Sequence, residues 1–131
     1  MSQDVLDIYN VKGRKVKEDE RYVVKDNKFL KNLVLSSTRL KANSSTTGHQ
    51  HKGQEEVYFF VSGTGNIQVD MSMIPIKPNT VVLIPDGAFH RVFNTHDIED
   101  LYFVCVFDGK RYSDIAKRYS VGEIDWSWTK K

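Results

Sequence analysis

GHQHKGQEEVYFFVSG, Gly48 to Gly63, is the stretch of this sequence that decides the fold. His49 and His51 are two residues apart, so in an extended strand both imidazoles point to the same face, with Cα atoms about 6.6 Å apart. Metal–nitrogen bonds of about 2.0–2.1 Å allow two such rings to reach one ion. After a short polar loop, Glu56 opens the next strand and shares a face with Tyr58. If the histidines point to that face, Glu56 supplies a third, anionic ligand.

A second stretch, PDGAFHRVFN from Pro85 to Asn94, adds a fourth candidate ligand. Its Pro-Asp-Gly turn leads into another strand, and His90 lies near the start of that strand. Three neutral imidazoles and one carboxylate suit Mn, Fe, Ni, Co or Zn and do not suit Mg or Ca. The predicted metal ligands are therefore His49, His51, Glu56 and His90. Glu55 has the opposite parity in its strand, which favours a solvent-facing position, but it stays open as an alternative to Glu56.

Patterns typical of β-strands recur along the chain, separated by polar turns, and predict a sandwich or barrel. The predicted strands are Arg21–Val24, Phe29–Ser37, Val57–Val61, Asn66–Asp70, Ser72–Ile76, Thr80–Ile84, Phe89–Phe93 and Leu101–Phe107. The turn at 62–65 fits a hairpin between the two strands that flank it. The charged run Lys12–Arg21 is interpreted as a solvated loop, with a binding tail as the alternative. Tyr112–Tyr119 has the pattern of a short helix.

Composition places the chain among single-domain globular proteins. It has 131 residues, of which 40% are hydrophobic and 27% charged, and its formal net charge is +2. That small charge argues against a nucleic-acid binder, and the longest apolar run, Leu101–Phe107, is far shorter than the ~18 residues that a membrane span needs. The one cysteine, Cys105, excludes a disulfide within the chain, and its apolar neighbours predict a buried side chain. Without an apolar targeting segment in the sequence, we expect a cytoplasmic location.

Together the two histidine stretches resemble the paired motifs of the cupin superfamily. The first family motif is Gly, five residues, His-x-His, three or four residues, Glu, six residues and Gly, and it is matched by His49, His51, Glu56 and Gly63. The second is Gly, five residues, Pro-x-Gly, two residues, His, three residues and Asn, and it is matched by Pro85, Gly87, His90 and Asn94. Asn43 and Asn79 replace the leading glycines. Because Asn tolerates a left-handed backbone, both turns can survive this replacement.

The resemblance implies an all-β, cupin-type double-stranded β-helix, or jelly-roll barrel, with a short C-terminal helix. We expect an N-terminal extension over residues 1–20, the barrel over 21–111, and a helix and tail over 112–131 that pack on the barrel or on a partner subunit. Single-domain cupins are often homodimers, and we expect a homodimer here. The candidates for the contact are the strand Leu101–Phe107 and the tail with Trp126 and Trp128.

The reaction is less tightly constrained, since the cupin barrel hosts isomerases, dioxygenases and binding proteins. The chain is similar to sugar-phosphate isomerase-like cupins, which implies a small metalloenzyme that uses Fe, Mn, Zn or Ni on a small polar substrate, with no nucleic acid or membrane partner. Glu56 and Tyr58 are the catalytic candidates. Two alternatives stay open, an iron-dependent dioxygenase, which a purely apolar pocket would favour, and a non-catalytic binding protein. The candidate anion anchors, which could equally be plain surface charges, are Arg39, Lys41 and Arg111.

Overall fold

The structure, a computed structural model, describes residues 5–109, which form nine strands in two antiparallel sheets. The strands are β1 (Arg14–Glu18), β2 (Tyr22–Asn27), β3 (Leu33–Leu40), β4 (Glu56–Ser62), β5 (Gly65–Val69), β6 (Ser72–Ile76), β7 (Val81–Ile84), β8 (His90–Phe93) and β9 (Leu101–Asp108). The larger sheet has the order β1-β2-β3-β9-β4-β7, and the smaller has the order β6-β5-β8. This all-β architecture confirms the predicted fold class.

The inner face of the larger sheet carries the residues that define the site. Strand register places one row of side chains across five strands, because residues directly opposite each other share a face. That row consists of Asp26, Ser36, Cys105, Tyr58 and Val82. Along β4 the alternate residues Glu56, Tyr58 and Phe60 are buried, whereas Phe59 between them is 36% exposed. The predicted parity of this strand is therefore confirmed.

The hydrophobic core lies between the two sheets. Its most buried members, at 0–1% exposure, come from both sheets and are Leu40, Phe60, Ile67, Val92 and Leu101. The segment before β4 adds a further connection, since isolated bridges join Ser45 to Phe93 and His49 to His90. The sheets are thus linked by the chain segment that carries the two neighbouring histidines.

Two local predictions are wrong. Residues Arg14–Glu18, interpreted as part of a solvated loop, form β1 and pair with β2, although four of these five residues are exposed. The turn at 62–65 does not close a hairpin, because β4 and β5 belong to different sheets. Gly63 adopts a φ of +89° there, and a Cβ atom would lie 2.5 Å from the Asp100 carbonyl oxygen. Glycine is therefore required at this position, where the chain passes from one sheet to the other.

Several other expectations concern the C-terminal part of the chain. The helix at Tyr112–Tyr119 and both tryptophans lie outside the described residues. Strand β9 lies between β3 and β4, and its first five residues are buried, so that part of the strand belongs to the core. Within residues 5–109 no helix has the length and apolarity required to cross a membrane.

Candidate metal centre

His49 and His90 lie opposite each other in a reciprocal backbone pair. The His49 amide donates to the His90 carbonyl at 3.1 Å, and the His90 amide donates to the His49 carbonyl at 2.9 Å. As a result the two rings meet nearly at right angles, with centroids 4.2 Å apart. His51 lies two residues further along, its ring centroid 4.9 Å from that of His49. Backbone pairing thus brings three histidines from two distant sequence stretches together.

Glu56 completes the cluster from the first position of β4. Its Oε2 atom lies 3.3 Å from His90 Nε2 and 4.0 Å from His51 Nε2. The potential ligand atoms of His49, His51 and Glu56 lie within 4.8 Å of one another. These three residues could hold a metal ion.

The surroundings of His90 test whether a cation fits this cluster. His90 Nδ1 lies 3.1 Å from the Ala88 carbonyl oxygen, which only accepts, so Nδ1 carries the hydrogen and donates it. Nε2 is then left with a lone pair. It is buried without a hydrogen-bond partner among the described residues, and it faces the Glu56 carboxylate at 3.3 Å. Two acceptors this close require a proton or a metal ion between them, so the donor set fits a divalent transition metal.

His49 is held in the neutral form that coordination needs. Burial and the neighbouring His90 and His51 rings lower its pKa to about 2. A neutral imidazole keeps its lone pair for a metal at physiological pH, whereas an imidazolium cannot coordinate.

Membership of a family follows from this geometry and from the sequence match. The chain matches the family model described as "Cupin domain" over residues 37–107. The chain belongs to the cupin family. Among known proteins, this cupin is 35% identical over 83 residues to a glucose-6-phosphate isomerase from Pyrococcus abyssi, an alignment that covers 56% of this chain and 43% of that protein. The cupin therefore spans less than half the length of that isomerase.

A second relative and a solved structure support the same fold. An oxalate-binding protein from Thermotoga maritima is 28% identical over 100 residues, covering 76% of this cupin and 82% of the relative. The structure of KdgF from Halomonas sp. superposes with a TM-score of 0.67 at 15% identity, covering 81% of this chain and 95% of that one. At that identity the superposition shows the fold alone.

Tyr58 lies beside the cluster. It is 5% exposed, stacks on Phe103 at a centroid distance of 5.4 Å, and meets the His90 ring edge-on at 5.7 Å. Burial, reinforced by the Glu56 carboxylate, raises the pKa of Tyr58 well above its usual value of 10. Its phenol is therefore a neutral group that can donate a hydrogen bond at physiological pH.

The cluster opens into a cavity of about 900 Å³ that Tyr58 helps to line. Polar side chains also line it, from both the strands and the loops, and they include Lys17, Asp26, Ser36, Thr38, Thr46 and Gln54. A purely apolar pocket was the condition that would favour oxygen chemistry, and this lining does not meet it. A cavity with converging polar groups is typical of a site for a small polar molecule.

Other predicted residues lie away from the cluster. Glu55 is exposed, as its parity predicts. His96 accepts backbone hydrogen bonds at 3.0 Å from the amides of Ile98 and Glu99, so it shapes its own loop. Among the anion-anchor candidates, Arg39 lies over the Tyr102 ring and 3.9 Å from Asp100, Lys41 is exposed, and neither lines the cavity. Arg111 lies outside the described residues.

Two predictions about single residues are confirmed. Asn43 and Asn79 adopt φ angles of +55° and +77°, the left-handed conformation expected where the family motif has glycine. Cys105 is buried, at 7% exposure, and burial raises the pKa of its thiol well above the usual value. The sequence did not predict that Cys105 lines the cavity beside Tyr58, nor that Asp26 lines it. Strand parity gives a signal for both residues only when the register between strands is known.

Proposed function

We propose that this cupin is a metal-dependent enzyme that acts on a small, oxygen-rich substrate, with sugar-phosphate isomerisation as the reaction class. The supporting observation is the convergence of three imidazoles and one carboxylate at the edge of a large cavity lined by both apolar and polar side chains. In this proposal one divalent transition metal is held by His49, His51, Glu56 and His90. When bound, the metal polarises a hydroxyl or carbonyl oxygen of the substrate.

The residues around the metal supply the proton transfers. Isomerisation moves one proton from C2 to C1 of the substrate and a second proton between the two oxygens. Glu56 is the anionic group of the cluster that can take the carbon-bound proton and return it to the neighbouring carbon. The neutral Tyr58 hydroxyl donates its proton to the substrate carbonyl oxygen and takes back the proton that the neighbouring hydroxyl oxygen releases. Each proton that leaves one atom is accepted by another, so the reaction needs no external oxidant.

Similarity to the Pyrococcus isomerase supports this reaction class, although the match covers only part of that protein. The oxalate-binding relative supports a second candidate function, the binding of a small anion without catalysis. Its match extends over 82% of the relative and 76% of this chain, a fuller correspondence than that of the isomerase. The two candidates share a metal centre and differ in whether a substrate proton is exchanged.

Metal content tests the proposed centre directly. Protein purified without chelator or affinity nickel is analysed by elemental mass spectrometry beside the double variant His49→Ala/His90→Ala and the control His96→Ala. We expect about one transition metal per chain in the wild type and in the control, and none in the double variant. Absence of metal under every loading condition would contradict the proposal.

Catalysis is tested next on the metal-loaded protein. Glucose 6-phosphate in D₂O serves as the probe, and NMR follows deuterium incorporation at C2. Exchange that depends on the bound metal supports the isomerase. A metal-loaded protein that binds oxalate and exchanges no proton from any aldose phosphate tested would favour the binding protein.

We also propose that the protein forms a homodimer. The outer face of β4 and of the edge strand β7 exposes Phe59, Val81 and Leu83, which are 36%, 51% and 70% exposed. An apolar face on an unpaired edge is a common contact between subunits. Light scattering at micromolar concentration should give twice the chain mass of 15.1 kDa, and a clean monomer would contradict this proposal.

A further inference from the structure

We propose that Lys17 recognises an anionic group of the ligand, so that the cavity takes a small molecule with metal-binding oxygens at one end and a carboxylate or phosphate at the other. This inference rests on the proposed function, because the metal centre must hold the first end. Lys17 lies in the charged run that sequence analysis interpreted as a loop, and the cavity wall includes it.

An irregularity in β1 turns Lys17 toward the cavity. Lys15 pairs with Lys25 and Lys17 pairs with Val24, so Val16 is an extra residue in the ladder. Such a bulge reverses the facing of the residues that follow it. Val24 belongs to the inner face and lines the cavity, so its partner Lys17 shares that face, whereas regular alternation would have placed Lys17 on the same outer face as Lys15.

In the part of the chain that the structure describes, the charge of Lys17 has no acidic counterpart. Arg21 nearby is paired with Asp19 at 2.9 Å, but within residues 5–109 no carboxylate lies in ion-pair distance of Lys17. Lys17 is half-buried as a residue, and its ammonium lies 5.0 Å from the centroid of the Tyr22 ring. A partly desolvated ammonium without a counter-ion favours binding of an anion.

Neutral oxygens leave part of the donor capacity of Lys17 unused. Its ammonium contacts Thr47 Oγ1 at 3.4 Å, and the same oxygen accepts from Arg21 at 3.3 Å and from the Tyr22 hydroxyl at 3.2 Å. Three donors therefore compete for one hydroxyl oxygen, which has two lone pairs. An ammonium has three N–H donors, so a carboxylate or phosphate oxygen entering the cavity would find donors to bind.

The contact with Thr47 connects Lys17 to the segment that carries the metal centre, since Thr47 lies two residues before His49 in the chain. Lys17 and His49 both line the same cavity, so one ligand can meet both. The site that includes Lys17 thus favours an anionic ligand over a neutral one.

The test uses the full chain with its bound metal and two probes, inorganic phosphate and oxalate, titrated by calorimetry. Lys17→Met removes the charge and keeps a similar stem, and Lys25→Met is the matched control, since Lys25 is an exposed lysine on neighbouring β2 that lies outside the cavity lining. We expect Lys17→Met to weaken binding about tenfold or more, the effect of losing a charge-assisted hydrogen bond. The control should change affinity less than about twofold.

The two probes separate the sources of the anionic group. Loss confined to phosphate identifies a phosphate-bearing ligand, and loss confined to oxalate identifies a carboxylate. Unchanged affinity in Lys17→Met, an equal loss in Lys25→Met, or a wild type that binds neither probe would overturn the inference. If Lys17→Met fails to fold by circular dichroism, Lys17→Gln is held to the same criteria.

Metal analysis distinguishes failure of this inference from failure of the proposed function. Binding that depends on Lys17 in a protein that takes up no metal would refute the metal centre and leave the anion site standing. A full complement of metal, with anion binding that does not depend on Lys17, would refute the anion site and leave the metal centre standing.

Discussion

The two ends of the cavity are built differently. At the metal end, His90 and Glu56 are 2% and 6% exposed, and backbone hydrogen bonds between His49 and His90 fix the geometry. At the other end, half-buried Lys17 lies on β1, an edge strand whose other side chains are exposed, and its ammonium donates a hydrogen bond to the Thr47 side chain. A buried site with backbone support suits chemistry that tolerates little displacement, and an exposed edge suits adjustable recognition. Changes at the first end should remove function, and changes at the second should tune affinity.

Substituting each of the two adjacent glutamates in turn is expected to give the largest effect at the metal end. Glu56→Gln removes the anionic ligand while keeping its shape, and Glu55→Gln removes the same charge from the exposed neighbour. We expect Glu56→Gln to lower metal affinity at least 10- to 100-fold, because a side chain that coordinates the metal contributes no less than the groups that orient it. Glu55→Gln should retain wild-type affinity. Competition with a chromophoric chelator measures both variants.

The outcome bears on the ligand left open by the sequence. Loss of metal in Glu55→Gln with normal metal binding in Glu56→Gln would identify Glu55 as the ligand. It would contradict the assignment of Glu56, in spite of the inward position of that residue. Equal loss in both variants would mean that net charge near the cavity matters more than coordination.

Most of the metal end could be predicted from the sequence because its geometry is encoded by short spacings. A separation of two residues puts His49 and His51 on one face of an extended segment, and parity alone separates Glu56 from Glu55. The asparagines at the two turns could be predicted as well, since only a few residue types accept positive φ. The approach of His90 followed from the family motif, and its backbone pairing with His49 needed the structure.

The end of the cavity that carries Lys17 could not be predicted from the sequence, for a physical reason. One extra residue at Val16 inverts the facing of Lys17, and a bulge of this kind leaves no clear pattern in a run of alternating charges. The passage of the chain from one sheet to the other after β4 could not be predicted either, because Gly63 and Gly65 fit a hairpin turn as well as they fit such a passage. In both places the outcome depends on pairing with distant residues.

A smaller effect is expected for Tyr58, which contacts the site without coordinating the metal in our proposal. Tyr58→Phe removes a neutral hydroxyl from the cavity and keeps the ring that stacks on Phe103. We expect turnover to fall by about 100-fold with metal content unchanged, the usual size of a lost proton donor. The control Tyr102→Phe removes a hydroxyl that bonds the Ile8 carbonyl at 2.7 Å, outside the cavity lining. Its turnover should match the wild type, and an equal fall in both variants would contradict a role at the site.

The smallest effect is expected from Asp19→Asn, a change at the end of the cavity that carries Lys17. Asp19→Asn keeps an oxygen for the backbone amides of Arg21 and Tyr22, and it releases the Arg21 guanidinium from its ion pair. A second uncompensated cation would then lie beside Lys17. We expect affinity for phosphate or oxalate to rise a few-fold, and more at low ionic strength. Glu18→Gln, which removes the same charge from the exposed pair with Lys15, should leave affinity unchanged in the same titration.

Acid titration of stability gives an independent measure of that pair. The hydrogen bond and charge of Arg21 lower the pKa of Asp19 from 3.8 to about 2, against an opposing effect of burial. Because the folded-state pKa lies below the unfolded one, the contribution to stability is complete above pH 3.8 and is lost as the pH falls toward 2. For a pair this close to solvent it amounts to less than about 1 kcal/mol. In Asp19→Asn this part of the acid dependence of unfolding should vanish, and an unchanged profile would show that Arg21 already acts as an unpaired cation in the wild type.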